Sequence, residues 1–363
     1  MAEIGLHGVG RRFGGQTAVD ALTLTIADGE FFVLLGPTGA GKTTTLRLIA
    51  GLEVPDAGGI SIGGEDATAW SVAQRDVALV FQYYSLYPRY TVRQNLAFPL
   101  QSKVRDFTPD EIERRVARAA KMLRIEHLLE RKTDRLSGGE MQRVSIGRAI
   151  VRDPTVFLMD EPLSNLDAKL REVLRSELKD LQKTLDATFL FVTHDQIEAM
   201  SMGDRIGVLN EGRLVQVGTP NAIYDAPRDT FVASFVGSPA MNLLPAKIEG
   251  GRLLVPGAFE MPLRPEGAAR LCRDEGPLTV GIRSEDVRVG PGCDDSAQVH
   301  HLENHGVELV VTLRAGETLF KASVPAMTRL RIDETVPFAL NQARLHGFDA
   351  TTGANLAIGR SGG

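Results

Sequence analysis

The run Gly36-Pro37-Thr38-Gly39-Ala40-Gly41-Lys42-Thr43 constrains the fold of this chain more than any other segment. It satisfies the pattern G-x-x-x-x-G-K-[ST], and its surroundings fit as well. An apolar strand candidate, Phe31 to Leu35, leads in. A helical stretch, Thr44 to Ala50, leads out and is closed by Gly51. A strand feeding a glycine loop that opens a helix aims several backbone N–H groups and a helix N-terminus at one point, which suits a polyphosphate. Lys42 supplies positive charge for the outer phosphates, and the Thr43 hydroxyl can ligate Mg²⁺. A chance glycine turn would not bring the lysine, the threonine and both flanks with it.

A second apolar strand, Thr155 to Met159, ends in two carboxylates, Asp160 and Glu161. With a phosphate loop upstream, Asp160 can hold Mg²⁺ through water, and Glu161 can polarise an attacking water. Without the loop the pair would read as solvated acids at a strand end. Leu136-Ser137-Gly138-Gly139-Glu140 precedes a helical stretch to about Arg152. Ser137 is a natural N-cap, and the glycines let a ligand approach the first turn, so the segment would also suit an anion. On its own it is equally a plain capped helix start.

Around these motifs the chain changes texture once. Residues 88–152 read as mostly helical, with a capping box and N1 proline at Thr108-Pro109-Asp110-Glu111. From 155 to 209 strands and helices alternate, which implies a largely parallel sheet between helices. After about residue 236 helical periodicity fades into short β-like runs (278–282, 307–313 and 319–324) separated by Gly/Pro turns, a second, all-β domain. The 363 residues fit about two domains. A formal charge of −5 without a basic block argues against nucleic acid as a partner. Cys272 and Cys293 form no C-x-x-C pair, and no apolar run approaches 18 residues, so the chain reads as a cytosolic protein that other subunits would hold at a membrane. Arg11-Arg12 is not followed by an apolar stretch and is no export signal. Gly59-Ile60-Ser61-Ile62-Gly63 matches a hydrolase elbow in spelling only, because Ser61 sits within an alternating strand and no helix follows. His300, His301 and His305 lack the Cys, Asp or second His group of a metal site.

Taken in order, the phosphate loop, Gln82, Leu136–Glu140, Met159-Asp160-Glu161, Asp167 and His194 resemble the ATP-binding cassette ATPases over about residues 3–235. The resemblance implies an α/β P-loop cassette domain over 1–235, with a helical subdomain at about 88–152, and ATP with Mg²⁺ as ligands. Phe13 aligns with the aromatic that stacks on adenine. Gly36 to Thr43 and Thr44 would cradle the phosphates. Thr43, Gln82 and Asp160 would serve Mg²⁺. Glu161, His194, Gln82 and Lys42 would carry catalysis, with His194 on the γ-phosphate. Two copies would pack head to tail, so that Ser137, Gly138, Gly139 and Glu140 of one reach the ATP of the other. Asp167 would link the two sites, and Arg131 would reach the partner's nucleotide. Glu140 stands where the commonest spelling has Gln.

A closer resemblance runs over nearly the whole chain. Leu136–Arg148, Met159–Arg171, Thr193–Met200 and Gly237-Ser238-Pro239-Ala240-Met241-Asn242 look like the ATPase of bacterial carbohydrate importers of the maltose and glycerol-3-phosphate type. Gly281-Ile282-Arg283-Ser284-Glu285 and Leu345-His346-Gly347-Phe348-Asp349 resemble that family's C-terminal domain, here 236–363, an oligonucleotide/oligosaccharide-binding-like regulatory barrel. Ser284 replaces its more usual Pro. The resemblance implies a second copy of the chain, two permease subunits and, indirectly, a solute-binding protein as partners, at the cytoplasmic face of the bacterial inner membrane. Tyr83 to Pro88 would line the groove for a permease helix. The runner-up readings are the ATPase of a polyamine, iron or sulfate importer and, behind it, a soluble cassette ATPase acting on nucleic acid or ribosomes. The guanine motif N-K-x-D is absent, which disfavours a GTPase.

Overall fold

The structure is a computed structural model that describes residues 2–102 and 107–358. The chain divides into two compact units, one up to Pro220 and one from Asn221.

The first unit is organised by two sheets. Strands β3 (Phe31–Leu35) and β8 (Thr188–Thr193) are buried along their whole length. Such unbroken burial suits the centre of a parallel sheet covered on both faces. They belong to a six-stranded sheet that also takes β6 (Val77–Val80), β7 (Val156–Asp160), β9 (Arg205–Asn210) and β10 (Arg213–Gly218), in the order β10-β9-β3-β8-β7-β6. All pairings are parallel except the β9–β10 hairpin. Strands β3, β8 and β7 therefore stand side by side, and their carboxyl ends carry the phosphate loop, His194 and the Asp160-Glu161 pair. Ligands of open α/β sheets gather at such strand ends.

The second sheet is antiparallel: β1 (Ile4–Phe13), β2 (Gln16–Ile26), β4 (Ala57–Ile62) and β5 (Glu65–Asp66), in the order β2-β1-β4-β5. Its inner face shares one core with α1 (Lys42–Ala50) and the main sheet, through Ile4, Leu22, Ile60, Leu48 and Leu190. Ser61 lies in β4 and is followed by the hairpin to β5, as its alternation suggests.

Among the described residues, three α-helices hold the region between β6 and β7. Helix α2 (Val92–Ala97) and α3 (Pro109–Met122) each start with a capping box, from Thr91 with Gln94 and Thr108 with Glu111. Helix α4 (Gly138–Ile150) starts with a third, from Ser137 with Glu140. Each box satisfies two orphan N–H donors. Helices α5 (Ala168–Leu185) and α6 (Gln196–Met202) then alternate with β8 and β9.

The second unit is mainly β. It has two antiparallel five-stranded sheets, built from 11 to 20 in strand order: β11 (Asn242–Glu249), β12 (Arg252–Val255), β13 (Phe259–Pro262), β14 (Gly276–Ile282), β15 (Val287–Val289), β16 (Asp295–Asn304), β17 (Glu308–Ala315), β18 (Thr318–Pro325), β19 (Thr335–Leu340) and β20 (His346–Asp349). The sheets enclose one core around Val280, Leu313, Phe320 and Phe338. These sheets carry the fold of the unit, as the sequence periodicity implies. Pro265 starts a short helix, Pro265–Leu271, between two strands.

The break after Pro220 precedes the loss of helical periodicity at 236, and Arg283 explains the difference. Its side chain is almost fully buried, and its guanidinium donates to the carbonyls of Tyr224 (2.9 Å), Ala233 (3.2 Å) and Val236. It also lies 4.0 Å from the Tyr224 ring centroid. A buried cation needs such partners, so the short helices Pro220–Asp225 and Thr230–Phe235 are tied to the second unit's strands.

Among the described residues no group of three or more His, Cys, Asp or Glu is placed to hold a metal. His300 lies at a register shift in β16, between Val299 and His301, and His305 lies 3.9 Å from both Glu303 and Glu308. No helix among the described residues is long and apolar enough to cross a membrane.

Candidate nucleotide site

The loop between β3 and α1 owes its path to glycine. Gly39 has φ 82° and Gly41 φ 99°, both in the left-handed region. A Cβ on Gly41 would lie 2.2 Å from the Ala18 carbonyl oxygen. Lys42 is the first residue of α1 and is 5% exposed. Its ammonium donates to the carbonyls of Gly36 (2.9 Å) and Pro37 (3.0 Å) and sits 3.6 Å from Glu161 Oε1. Burial lowers its pKa, while the Glu161 and Asp160 charges resist that shift. Ala40 is buried, its N–H donating to the Pro37 carbonyl.

Thr43 Oγ1 donates to Asp160 Oδ1 at 2.9 Å. Burial pushes the Asp160 carboxyl up. The Thr43 bond opposes that rise, and the Glu161 charge adds to it. A hydroxyl and a desolvated carboxylate at the mouth of a phosphate loop are hard oxygen donors, the set that fits Mg²⁺. Few protein ligands are needed, because Mg²⁺ usually keeps waters and takes substrate phosphates.

Glu161 is at a sharp turn, with φ 44° and its N–H donating to the Val192 carbonyl at 3.0 Å. That turn leaves β7 and lays the side chain across the end of β8. Its Oε2 is 3.0 Å from His194 Nδ1. Gln82 Nε2 donates to Ser164 Oγ at 3.3 Å, and Ser164 Oγ donates to the Glu161 carbonyl at 2.9 Å. Asn165 Nδ2 donates back to the Gln82 carbonyl at 2.9 Å.

These groups face a cavity of about 550 Å³. Phe13, Gln16 and Ala18 line one side of it. Thr38, Gly39 and Gly41 to Thr44 line another, with Gln82, Glu161 and His194 beyond. The structure thus brings together Phe13, the phosphate loop, Gln82, Glu161 and His194, with Asp160 joined through Thr43.

The second set lies elsewhere on the same unit. Ser137, Gly138, Gly139, Glu140, Arg131 and Asp167 do not line this cavity. Glu140 Oε2 accepts from the Ser137 N–H (2.7 Å) and hydroxyl (2.8 Å). Arg131 is 3.8 Å from Glu140 Oε1. The Ser137 N–H bond, its hydroxyl and the Arg131 and His127 charges hold the Glu140 carboxyl below its usual range. Asp167 Oδ1 caps α5, accepting from Leu170 N–H at 3.0 Å.

Sequence reading did not mark Gln16, Ala18 or Ser164 as site residues. Gln16 pairs directly with Phe13 across the β1–β2 turn, so hairpin register could have found it. Ser164 needs the tertiary fold, since its link to Gln82 spans 82 residues.

The Tyr83–Pro88 segment is divided in its packing. Tyr87 packs in an aromatic cluster with Phe98 (4.5 Å) and Tyr90 (5.4 Å), the rings tilted, while Tyr83 is 75% exposed. Phe81, Tyr84 and Ser85 border a separate cavity of about 210 Å³ with Phe98, Arg148 and Arg152.

Comparison with known proteins decides the family. The model described as ABC transporter matches residues 19–164, one described as MalK OB fold domain matches 237–287, and a TOBE domain matches 280–348. The trehalose/maltose import ATP-binding protein MalK of Thermococcus litoralis is 47% identical over 97% of this chain and 99% of its own. The chain belongs to the ATP-binding cassette transporter ATPases. The sn-glycerol-3-phosphate import ATP-binding protein UgpC of Rhizobium meliloti is also 47% identical, over 96% of this chain and 99% of that one. Among solved structures, a cassette described as a dimeric post-hydrolysis state of MJ0796 bound to ADP and Pi is similar at 30% identity and a TM-score of 0.54. That match covers 60% of this chain and 98% of the other. The family, the cassette fold with its C-terminal β domains, and nucleotide as the ligand are those the sequence motifs imply.

Proposed function

We propose that this chain hydrolyses ATP to energise the import of a carbohydrate or sugar derivative through a membrane permease. The observation that carries the reading is the convergence of the phosphate loop, Glu161 and His194 at the ends of three adjacent strands. End-to-end similarity to subunits named for trehalose/maltose, glycerol-3-phosphate and sulfoquinovosyl glycerol transport supports the solute class.

In this reading the base of ATP stacks on Phe13 and its phosphates lie over Gly36 to Thr44. Lys42 leaves the Gly36 and Pro37 carbonyls for the outer phosphates. Thr43, Gln82 and Asp160, the last through water, would hold Mg²⁺, which would neutralise phosphate charge. Glu161 accepts the proton of the attacking water, and His194 moves from Glu161 to the γ-phosphate. Hydrolysis of this kind demands positioning and charge stabilisation more than covalent chemistry. A second copy would complete each site with Ser137, Gly138, Gly139 and Glu140, with Arg131 and Asp167 at the seam. Dimeric cassette structures among the similar proteins support that arrangement. The cassette would span 1–235, its helical region 88–152 meeting two permease subunits at the cytoplasmic membrane face, with 236–363 regulatory. A solute-binding protein would act through the permease.

The test is Glu161→Gln. Turnover is expected to fall by orders of magnitude, on the order of 10² or more, while ATP binding persists. Unchanged turnover would remove Glu161 from the role of base. Co-purifying the membrane partners and identifying the solute retained by their binding protein tests the solute class.

A further inference from the structure

Phe13 is a plain phenyl ring, 45% exposed at the rim of the cavity, with no hydroxyl or indole N–H to anchor it. The Arg11 guanidinium lies over the ring, its Cζ 4.8 Å from the ring centroid. Phe13 borders the cavity, whereas Arg11 does not line it. The guanidinium is held in turn by two carboxylates, Glu53 Oε2 at 2.9 Å and Asp56 Oδ1 at 2.8 Å. Asp56 is itself fixed, since its other oxygen accepts the Arg12 N–H at 2.7 Å and its own N–H donates to the Gly10 carbonyl. Residues 53 and 56 follow α1, the helix that the phosphate loop opens.

We propose that Arg11 is a positioning and specificity residue for the nucleotide's base, acting through Phe13. The inference rests on the reading that Phe13 receives the adenine. A cation on one face of an aromatic ring is attracted by its quadrupole and draws electron density towards itself. The opposite face then becomes a better surface for an electron-rich purine, which prefers offset stacking on an electron-poor ring. Arginine suits the task because its flat fork stacks and accepts two carboxylate partners at once. Glu53 and Asp56 keep the fork from rotating into solvent, so the ring is presented in one orientation before ATP arrives. The phosphates are not touched by this device. It therefore adds discrimination at the base end alone.

The experiment compares Arg11→Met, Arg11→Lys and Phe13→Ala in the full chain. Read-outs are KM for ATP, kcat at saturation, and inhibition by inorganic tripolyphosphate, which probes the phosphate loop without a base. Arg11→Met keeps the stem and removes the charge. It should raise KM for ATP about 3- to 10-fold, from the usual strength of a cation–π contact, with kcat within twofold and tripolyphosphate inhibition unmoved. Arg11→Lys should recover part of the loss. An unchanged KM in Arg11→Met, with Phe13→Ala raising it, overturns the role of Arg11 and leaves the stacking reading intact. A Phe13→Ala variant with unchanged KM overturns both. A parallel loss of tripolyphosphate inhibition in Arg11→Met also overturns the proposal, because Arg11 would then only brace the hairpin. Should Arg11→Met fail to fold, Glu53→Gln frees one side of the fork and must raise KM for ATP without moving tripolyphosphate.

Discussion

Gly39 and Gly41 permit a paired test of what shapes the phosphate loop. Both have positive φ, so an alanine at either position bears the left-handed penalty of an L-residue, about 1–2 kcal/mol. Their surroundings differ. A Cβ on Gly39 meets nothing within 4 Å, whereas one on Gly41 would lie 2.2 Å from the Ala18 oxygen. That oxygen is backbone and cannot rotate away. The β1–β2 hairpin or the start of α1 would have to move by about 1 Å, an overpacking cost of roughly 1–3 kcal/mol. Gly39→Ala should therefore cost about 1–2 kcal/mol and Gly41→Ala about 2–5 kcal/mol. For a unit of this size that is roughly 2–4 °C per kcal/mol in Tm. Thermal and urea unfolding without nucleotide would read the difference directly. Nucleotide affinity should fall further in Gly41→Ala, because Ala18 lines the cavity beside Phe13. Equal destabilisation of the two variants would refute the contact argument. A wild-type Tm for Gly41→Ala would refute the loop path itself.

Two further outcomes follow from burial and charge. His346 is 8% exposed, and burial, with the Arg270, Arg283 and Arg344 charges, lowers its pKa from 6.5 to about 4. The unfolded chain then binds a proton that the folded chain refuses, so stability is lost as pH falls from about 6.5 towards 4, by up to ~3 kcal/mol. Urea unfolding from pH 7.5 to 4 should show a shallower slope for His346→Gln, and identical slopes would remove His346 as the cause. Glu140→Gln should keep the cap on Ser137, since an amide oxygen can accept the same bonds, and change unfolding stability by less than ~0.5 kcal/mol. In a Glu161→Gln background it should tighten ATP-dependent self-association about threefold or more, from removing one negative charge near phosphate at a partly exposed site. Association no tighter than that of Glu161→Gln alone would place the carboxylate away from the nucleotide.

What could be read from the sequence divides by the range of the interactions. The strand, loop and helix of residues 31–50 are legible because their signals are local: buried β-branched and aromatic residues, two glycines that need left-handed φ, and a helix start. The capping boxes at Thr108 and Ser137 are legible for the same reason, since both partners lie within four residues. Arg283 is not. Its partners lie 47 to 59 residues away, and only the fold shows that a charged residue anchors two helices to the second unit. Ser164 and Arg11 are opaque in the same way, one linked to Gln82 and the other to Glu53 and Asp56.

The proposed second half of the site poses a different problem. Within one chain Ser137 bonds Glu140, Glu140 faces Arg131, and Asp167 caps α5. These bonds are those of an ordinary helix cap, so single-chain geometry exerts no demand for a partner. Yet the Ser137 N–H and hydroxyl that Glu140 now engages are the donors a phosphate would need. In the proposed dimer, closure on ATP would exchange one anion for another at the same N-terminus. That exchange depends on the charge of residue 140 far more than the fold does, which is why the charge can be altered without unfolding the chain and why association is the quantity that will respond.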